Sequence, residues 1–164
     1  SAKFLANEPI PHRAELVKRV VNNQQVVSFD GTDSSNFNER FDRILVDAPC
    51  TGLGALRRRP EARWRKSLKD LKELVTLQRN LLSSAYLLLN PGGLIAYVTC
   101  SPHLAETKAQ VIDFLDAHSD MKILPIPTFA TAHLQGLQDD GSMQLWTHLD
   151  QSDGMFMVLF EKVG

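Results

Sequence analysis

The chain holds two cysteines, and each follows an apolar run of strand-like character. Phe41-Asp42-Arg43-Ile44-Leu45-Val46 leads into Asp47-Ala48-Pro49-Cys50, and Leu94-Ile95-Ala96-Tyr97-Val98 leads into Thr99-Cys100-Ser101. A lone cysteine at a strand end is commonly a small buried hydrophobe. Two at equivalent ends of neighbouring strands converge on one crevice, as covalent chemistry with a thiolate nucleophile requires. Asp47, followed by the rigid Pro49, can aim a carboxyl at a flat polar ligand such as the ring nitrogen and exocyclic amine of a nucleobase. A thiolate at the next strand end could then attack that base. A free thiol titrates at about 8.5, so reaction at neutral pH needs a nearby positive charge or a general base.

Other thiol chemistries fit less well. Neither cysteine has metal-ligand spacing, and a zinc site needs more ligands than the sequence offers nearby. A Cys100–His103 pair is an alternative, although a histidine so close in sequence usually points elsewhere. A redox pair would normally take a Cys-x-x-Cys form. With no secretion signal, a structural disulfide is disfavoured.

Between the cysteines lies Leu56-Arg57-Arg58-Arg59-Pro60-Glu61-Ala62-Arg63-Trp64-Arg65-Lys66, with six basic residues and one acid. It reads either as a solvated basic loop or as a phosphate-contacting patch with Trp64 available to stack. The chain as a whole is no polycation: the net charge is −1 over 164 residues. A composition of 43% hydrophobic and 23% charged residues suits one globular domain spanning residues 1–164. No apolar run reaches bilayer-spanning length. The start, Ser1-Ala2-Lys3-Phe4-Leu5-Ala6-Asn7-Glu8-Pro9, lacks the parts of a signal peptide and opens inside an apolar run without Met, which suggests a fragment of a cytoplasmic protein.

The elements that must position these residues alternate. Lys3 to Ala6 reads as a short strand and Pro11 to Asn23 as a helix, with Leu16, Val17, Val20 and Val21 at helical spacing. Strands follow at Gln24–Asp30 and Phe41–Ala48. A long helix is expected from Ser67, broken by Asn90-Pro91-Gly92-Gly93. Then come a strand at Leu94–Cys100 and a helix over Leu104–Ser119, with Val111, Ile112, Phe114 and Leu115 facing inward. Lys122–Pro127 is a strand or an extended segment. Two last runs, Ser142–Leu149 and Gly154–Val163, read as an antiparallel hairpin at one sheet edge. This alternation implies an α/β fold, with a mostly parallel sheet and helices on both faces. Ligands bind outside the carboxyl ends of such strands, where Glu8, Asp30, Asp47, Cys50 and Cys100 all fall.

Asp-Ala-Pro-Cys followed by Thr-Cys-Ser, with "LRRRPEARW", "NPGGLIAYVTCSPHLAET" and the closing "DGMFMVLFEK", resembles the RsmB (Sun) family of S-adenosylmethionine-dependent ribosomal RNA cytosine-C5 methyltransferases from Phe4 to Lys162. The resemblance implies a class I, Rossmann-like methyltransferase fold. It implies Cys100 as the nucleophile that adds to C6 of cytosine, Asp47 as the group that holds the base edge, and Cys50 as the group that assists release. It places Glu8 on the cofactor ribose and Asp30 on the adenine, with Asp47 also at the cofactor pocket. Without the resemblance, Glu8 and Asp30 read as turn or cap residues, and Arg13 as a solvated helix residue. Arg57, Arg58, Arg59 and Arg63 become candidates for RNA contact.

The family's glycine-rich loop and its central strand belong upstream of Phe4. The expectation is therefore a sheet lacking its first central strand, which either pairs the strand ending at Glu8 with that ending at Asp47 or completes itself as a homodimer. A catalytically silent RNA-binding module is the rival reading.

Overall fold

The computed structural model of the protein describes residues 3–21, 24–127 and 135–164. Its backbone divides into two compact units, Ser1–Asn38 and Glu39–Gly164.

In the first unit, strand β1 (Leu5–Asn7) leads through helix α1 (Pro11–Val20) to strand β2 (Gln25–Val27), and β1 and β2 pair in parallel as a two-stranded sheet. Pro11 stands in the first turn of α1, where its missing N–H removes no helical hydrogen bond, while Lys18 and Arg19 face the negative end of the helix dipole. The strand ends are tied by a side chain. Asn7 Oδ1 accepts from Phe29 N at 2.9 Å, and Asn7 Nδ2 donates to Phe29 O at 3.2 Å. Leu16 and Val20 share the apolar stripe read from the sequence, yet both are exposed, and Ala14 is the buried residue of α1. A helix over two three-residue strands has little apolar surface of its own unit to cover.

The second unit contains β3 (Phe41–Asp47), α2 (Ala62–Arg65), α3 (Leu68–Leu88), β4 (Leu89–Thr99), α4 (Lys108–Ala117), β5 (Met121–Leu124), β6 (Met143–Gln144), α5 (Thr147–Asp150) and β7 (Phe156–Lys162). The strand order is β3-β4-β7-β5, with β6 also paired to β7. β3 and β4 are parallel, and β7 runs antiparallel to β4, β5 and β6. Within this sheet all strands but β7 therefore point the same way.

Two expectations change here. β6 and β7 do pair antiparallel, but β7 lies inside the sheet between β4 and β5, and β6 sits on the far side of β7. Phe156, Val158 and Phe160 alternate along β7 onto one face and are all fully buried in the core. The strand ending at Glu8 is not paired with that ending at Asp47; they belong to different sheets, and β3 is the outer strand of its own, with Leu45 68% exposed.

Ser67 opens α3 with a reciprocal cap. Its hydroxyl accepts from Asp70 N at 3.2 Å, and Asp70 Oδ2 accepts from Ser67 N at 2.8 Å. No loop separates α3 from β4. Asn90 to Gly93 bulge out of the ladder, with Phe41 facing Leu89 and Arg43 facing Leu94, and Gly92 takes φ +71°. Ile95, Tyr97 and Thr99 are then buried in alternation, and Ile95 and Tyr97 share the core cluster of Leu82, Ala85 and Leu89 of the α3–β4 segment and Val111 and Phe114 of α4. Burying each large apolar side chain contributes about 1.5–3 kcal/mol, so this layer anchors the strand ends that carry the cysteines. Ile112, expected inward on α4, is 59% exposed; it lies one residue off the stripe of Val111, Phe114 and Leu115. Among the described residues no helix is long and apolar enough to cross a membrane.

Candidate active site

The register of β3 against β4 sets Asp47 opposite Val98, so the segments beyond both strands leave the sheet side by side. Ala48 N donates to Val98 O at 2.9 Å, extending the ladder by one bond, and Gly54 N donates to Cys100 O at 2.9 Å. Cys50 Sγ and Cys100 Sγ stand 3.3 Å apart, both as free, half-buried thiols.

The loop after Cys50 is held by glycines for two different reasons. Gly52 has φ +73°, a left-handed conformation that other residues adopt only with strain. Gly54 is pressed against the turn before β7. Gly154 N donates to Gly54 O at 2.8 Å, and a Cβ on Gly54 would lie 1.8 Å from Gly154 O.

The two sulfurs are within hydrogen-bonding distance of each other. The hydrogen bond from Cys50, with help from backbone N–H, lowers the Cys100 thiol to about 7 against the opposing effects of burial and of the Asp47 and Asp153 carboxylates. The same hydrogen bond, together with burial and the charge on Cys100, holds the Cys50 thiol far above the ordinary range. Cys100 is thus the group that ionises, and Cys50 the group that keeps the proton.

A buried carboxylate absent from the sequence reading lies behind the pair. Glu106, fully buried, accepts at Oε1 from Thr51 N at 2.8 Å and Gln78 Nε2 at 3.2 Å, and at Oε2 from Thr51 Oγ1 at 2.5 Å and Ser101 Oγ at 2.6 Å. In the sequence it reads as an acid near the start of a helix, a favourable place against the dipole. The one available signal is that Thr51 and Ser101, each just past a cysteine, are small hydroxyl residues that need an acceptor if buried.

Other predicted residues fall in varied settings. Asp47 is exposed at the carboxyl end of β3. His103 does not pair with Cys100: its Nδ1 accepts from Ala105 N at 3.1 Å, capping the 3₁₀ turn Leu104–Glu106. In the basic segment, Arg58 forms an ion pair with Asp153 through both Nε and Nη2, and Arg57 Nη1 reaches Gln151 O at 3.5 Å. Arg59, Arg63 and Arg65 are exposed, and the Arg63 guanidinium lies 5.2 Å from the ring centre of Trp64, which is 81% exposed.

Glu8 and Asp30 belong to the first unit, past the ends of β1 and β2. Glu8 Oε1 accepts from Ile10 N at 3.0 Å, and its Oε2 pairs with Arg13 at 3.1 Å. Asp30 Oδ1 accepts from Thr32 N at 2.9 Å and Thr32 Oγ1 at 2.7 Å; these bonds hold the carboxyl below its usual range, so it stays an anion and an acceptor. Among the described residues no group of three or more His, Cys, Asp or Glu side chains is placed to hold a metal ion.

The chain is similar to known proteins. The chain is 46% identical over 165 residues to the Mycobacterium tuberculosis protein named "Putative methyltransferase Rv1407", a match covering 99% of this chain and 36% of that protein. It is 35% identical over 150 residues to the ribosomal RNA small subunit methyltransferase B of Pectobacterium carotovorum, covering 90% of this chain and 33% of the relative. The chain thus spans about a third of the length of these curated relatives. The crystal structure of PH0851 superposes with a TM-score of 0.89 at 30% identity, over 99% of this chain and 37% of that one, and the fold is that of class I, Rossmann-like methyltransferases. The family model for 16S rRNA methyltransferase RsmB/F matches residues 1–161, and with two free thiols in contact past the parallel strands β3 and β4, the chain belongs to that family.

Proposed function

We propose that the chain carries the catalytic residues of an enzyme that methylates C5 of a cytosine in ribosomal RNA, with S-adenosylmethionine as methyl donor and a covalent cysteine adduct on the base. The observation that carries this reading is the thiol pair: Sγ atoms 3.3 Å apart, with Cys100 lowered to about 7.

C5 of cytosine is a poor nucleophile. Attack of the Cys100 thiolate on C6 forms a C–S bond and pushes the ring electrons to C5, which becomes enamine-like. Asp47 accepts from the exocyclic amine at the base edge and supports the accompanying charge change at N3. S-adenosylmethionine supplies an electrophilic methyl group when bound, and Glu8 and Asp30 are the carboxylates that would hold its ribose and adenine. Once C5 carries the methyl group, its proton must leave before the C6–S bond can break.

Cys50 is suited to take that proton as a thiolate, once its own proton has passed to solvent. While Cys100 is a thiolate, Cys50 is locked as its hydrogen-bond donor. When the Cys100 sulfur becomes a neutral thioether on C6, that hold disappears, and the acidity of Cys50 moves back toward an ordinary thiol. The second base thus becomes available only after the first has bonded. Cys100 returns as the leaving thiolate.

Support for the RNA substrate comes from membership of a family described by 16S rRNA methylation and from the exposed Arg59, Arg63 and Trp64. The test is capture of RNA containing 5-fluorocytosine, whose C5 fluorine cannot leave as a proton. The full-length protein should form a complex stable on a denaturing gel, and Cys100→Ala should form none. Capture by Cys100→Ala would refute the mechanism.

A further inference from the structure

The sulfurs do not hold themselves in contact; their neighbours do, and those neighbours meet at one carboxylate. Thr51 follows Cys50 and Ser101 follows Cys100, and Glu106 Oε2 accepts from both hydroxyls, at 2.5 and 2.6 Å. We propose that Glu106 is a positioning residue that sets the contact between Cys50 and Cys100 by binding the residue after each of them.

The clamp is itself anchored on two sides. The backbone carbonyl of Glu106 accepts from Tyr97 OH at 2.9 Å, and Tyr97 is fully buried in β4 two residues before Thr99. From α3, Gln78 Nε2 reaches both Glu106 Oε1 and Pro49 O, at 3.2 and 2.9 Å, and so holds the residue before Cys50. Thr51 N–H, two hydroxyls and one amide N–H converge on the carboxylate. A carboxylate has acceptor sites for all four. Among the described residues no Lys or Arg pairs with Glu106, so hydrogen bonds compensate its burial. The Glu106 carboxylate also reaches neither sulfur: every bond its side chain makes goes to a residue flanking a cysteine or to Gln78.

A residue built only to stabilise the fold needs no such placement. Here a change at Glu106 alters the spacing of the thiols, and with it the hydrogen bond by which Cys50 favours ionisation of Cys100. The other charged groups facing Cys100 are Asp47 and Asp153, which oppose that ionisation, and Arg58, which pairs with Asp153.

The consequence for methyl transfer rests on the function proposed above, but the contact can be tested without RNA. In the full-length protein, alkylation of Cys100 by iodoacetamide, followed by site-resolved mass spectrometry across pH, should show a midpoint near 7. Glu106→Gln keeps the shape but offers one acceptor oxygen and turns an NH2 toward hydrogen-bond donors. Its midpoint should rise toward that of an ordinary thiol, about 8.5, lowering the alkylation rate at pH 7 roughly tenfold. Ser101→Ala and Thr51→Val each remove one hydroxyl from the clamp and should shift the midpoint less, in the same direction. Asp113→Asn, on the outer face of α4, should not shift it.

An unshifted midpoint in a folded Glu106→Gln protein overturns the proposal. If that variant does not fold, unshifted midpoints in both Ser101→Ala and Thr51→Val overturn it. Capture of 5-fluorocytosine RNA is scored separately, so failure of the clamp and failure of the cytosine reading give different results.

Discussion

A thiol and a thiolate in contact divide their roles by which one keeps the proton, and here the environment makes the division. Cys50 Sγ and Cys100 Sγ are hydrogen-bonded to each other, so removing Cys50 removes the largest influence lowering Cys100. In Cys50→Ala the Cys100 alkylation midpoint should therefore move up from about 7. The sign follows from the anion: with its donor gone the thiolate is less stable, so reactivity falls at pH 6 to 7 and is unchanged well above 9. The same variant should still attack cytosine but release it poorly, leaving a protein–RNA adduct on a denaturing gel without any fluorinated base. Normal turnover with no adduct would make Cys50 a structural residue. Cys50, Cys100 and Asp47 were legible because apolar runs ending in reactive residues point to strand ends. Glu106 was not, since burial of a single acid leaves no periodic mark. His103 was open to misreading for a related reason: proximity in sequence does not show that its Nδ1 is already occupied by Ala105 N.

At the level of elements, the site depends on where three backbone segments touch. Gly54 lies between Cys100 O, to which its N–H donates, and Gly154, whose N–H it accepts. Gly54→Ala would drive a methyl group into the Gly154 carbonyl, so one segment must move. A loss of roughly 3 kcal/mol is expected. Gly52→Ala meets nothing within 4 Å, but must hold φ +73°, and should cost roughly 1–2 kcal/mol. Chemical denaturation of the two variants measures the order, and a Gly54→Ala protein as stable as Gly52→Ala would mean the contact is slack. Ser67→Ala removes a cap distant from the cysteines; it should cost about 1 kcal/mol without changing the Cys100 midpoint. The sequence made the long α3 plain through its apolar period and its Ser67-to-Asp70 start. It concealed the position of β7, because strand order is decided by which apolar faces meet, and hairpin proximity in sequence suggested an edge. It also concealed the fate of Asn90 to Gly93, where turn residues make a bulge in β4 rather than a loop before it.

Across the whole molecule, the net charge of −1 hides a local concentration of cations, and their surroundings separate them. The run from Arg57 to Lys66 suggested equal candidates for phosphate contact. Arg58 is now distinguished by its ion pair with Asp153, a residue brought near by the turn before β7 and 95 positions away in sequence. No local pattern could have shown that pairing. Arg59 and Arg63 stay exposed, and Arg57 has a single long bond to a backbone carbonyl. Each phosphate contact on single-stranded RNA contributes about 0.7 to the slope of log affinity against log salt. The full-length protein with Arg57, Arg59 and Arg63 all changed to Ala should therefore lose about 2 units of slope, while Arg58→Ala alone should lose less than one contact's share. Asp153→Asn supplies the converse: it releases Arg58 and should steepen the slope. Filter binding over a salt series reads all three. If Arg58→Ala flattens the slope by a full contact and Asp153→Asn leaves it unchanged, Arg58 reaches phosphate despite its partner, and the ion pair yields to RNA rather than withholding the charge from it.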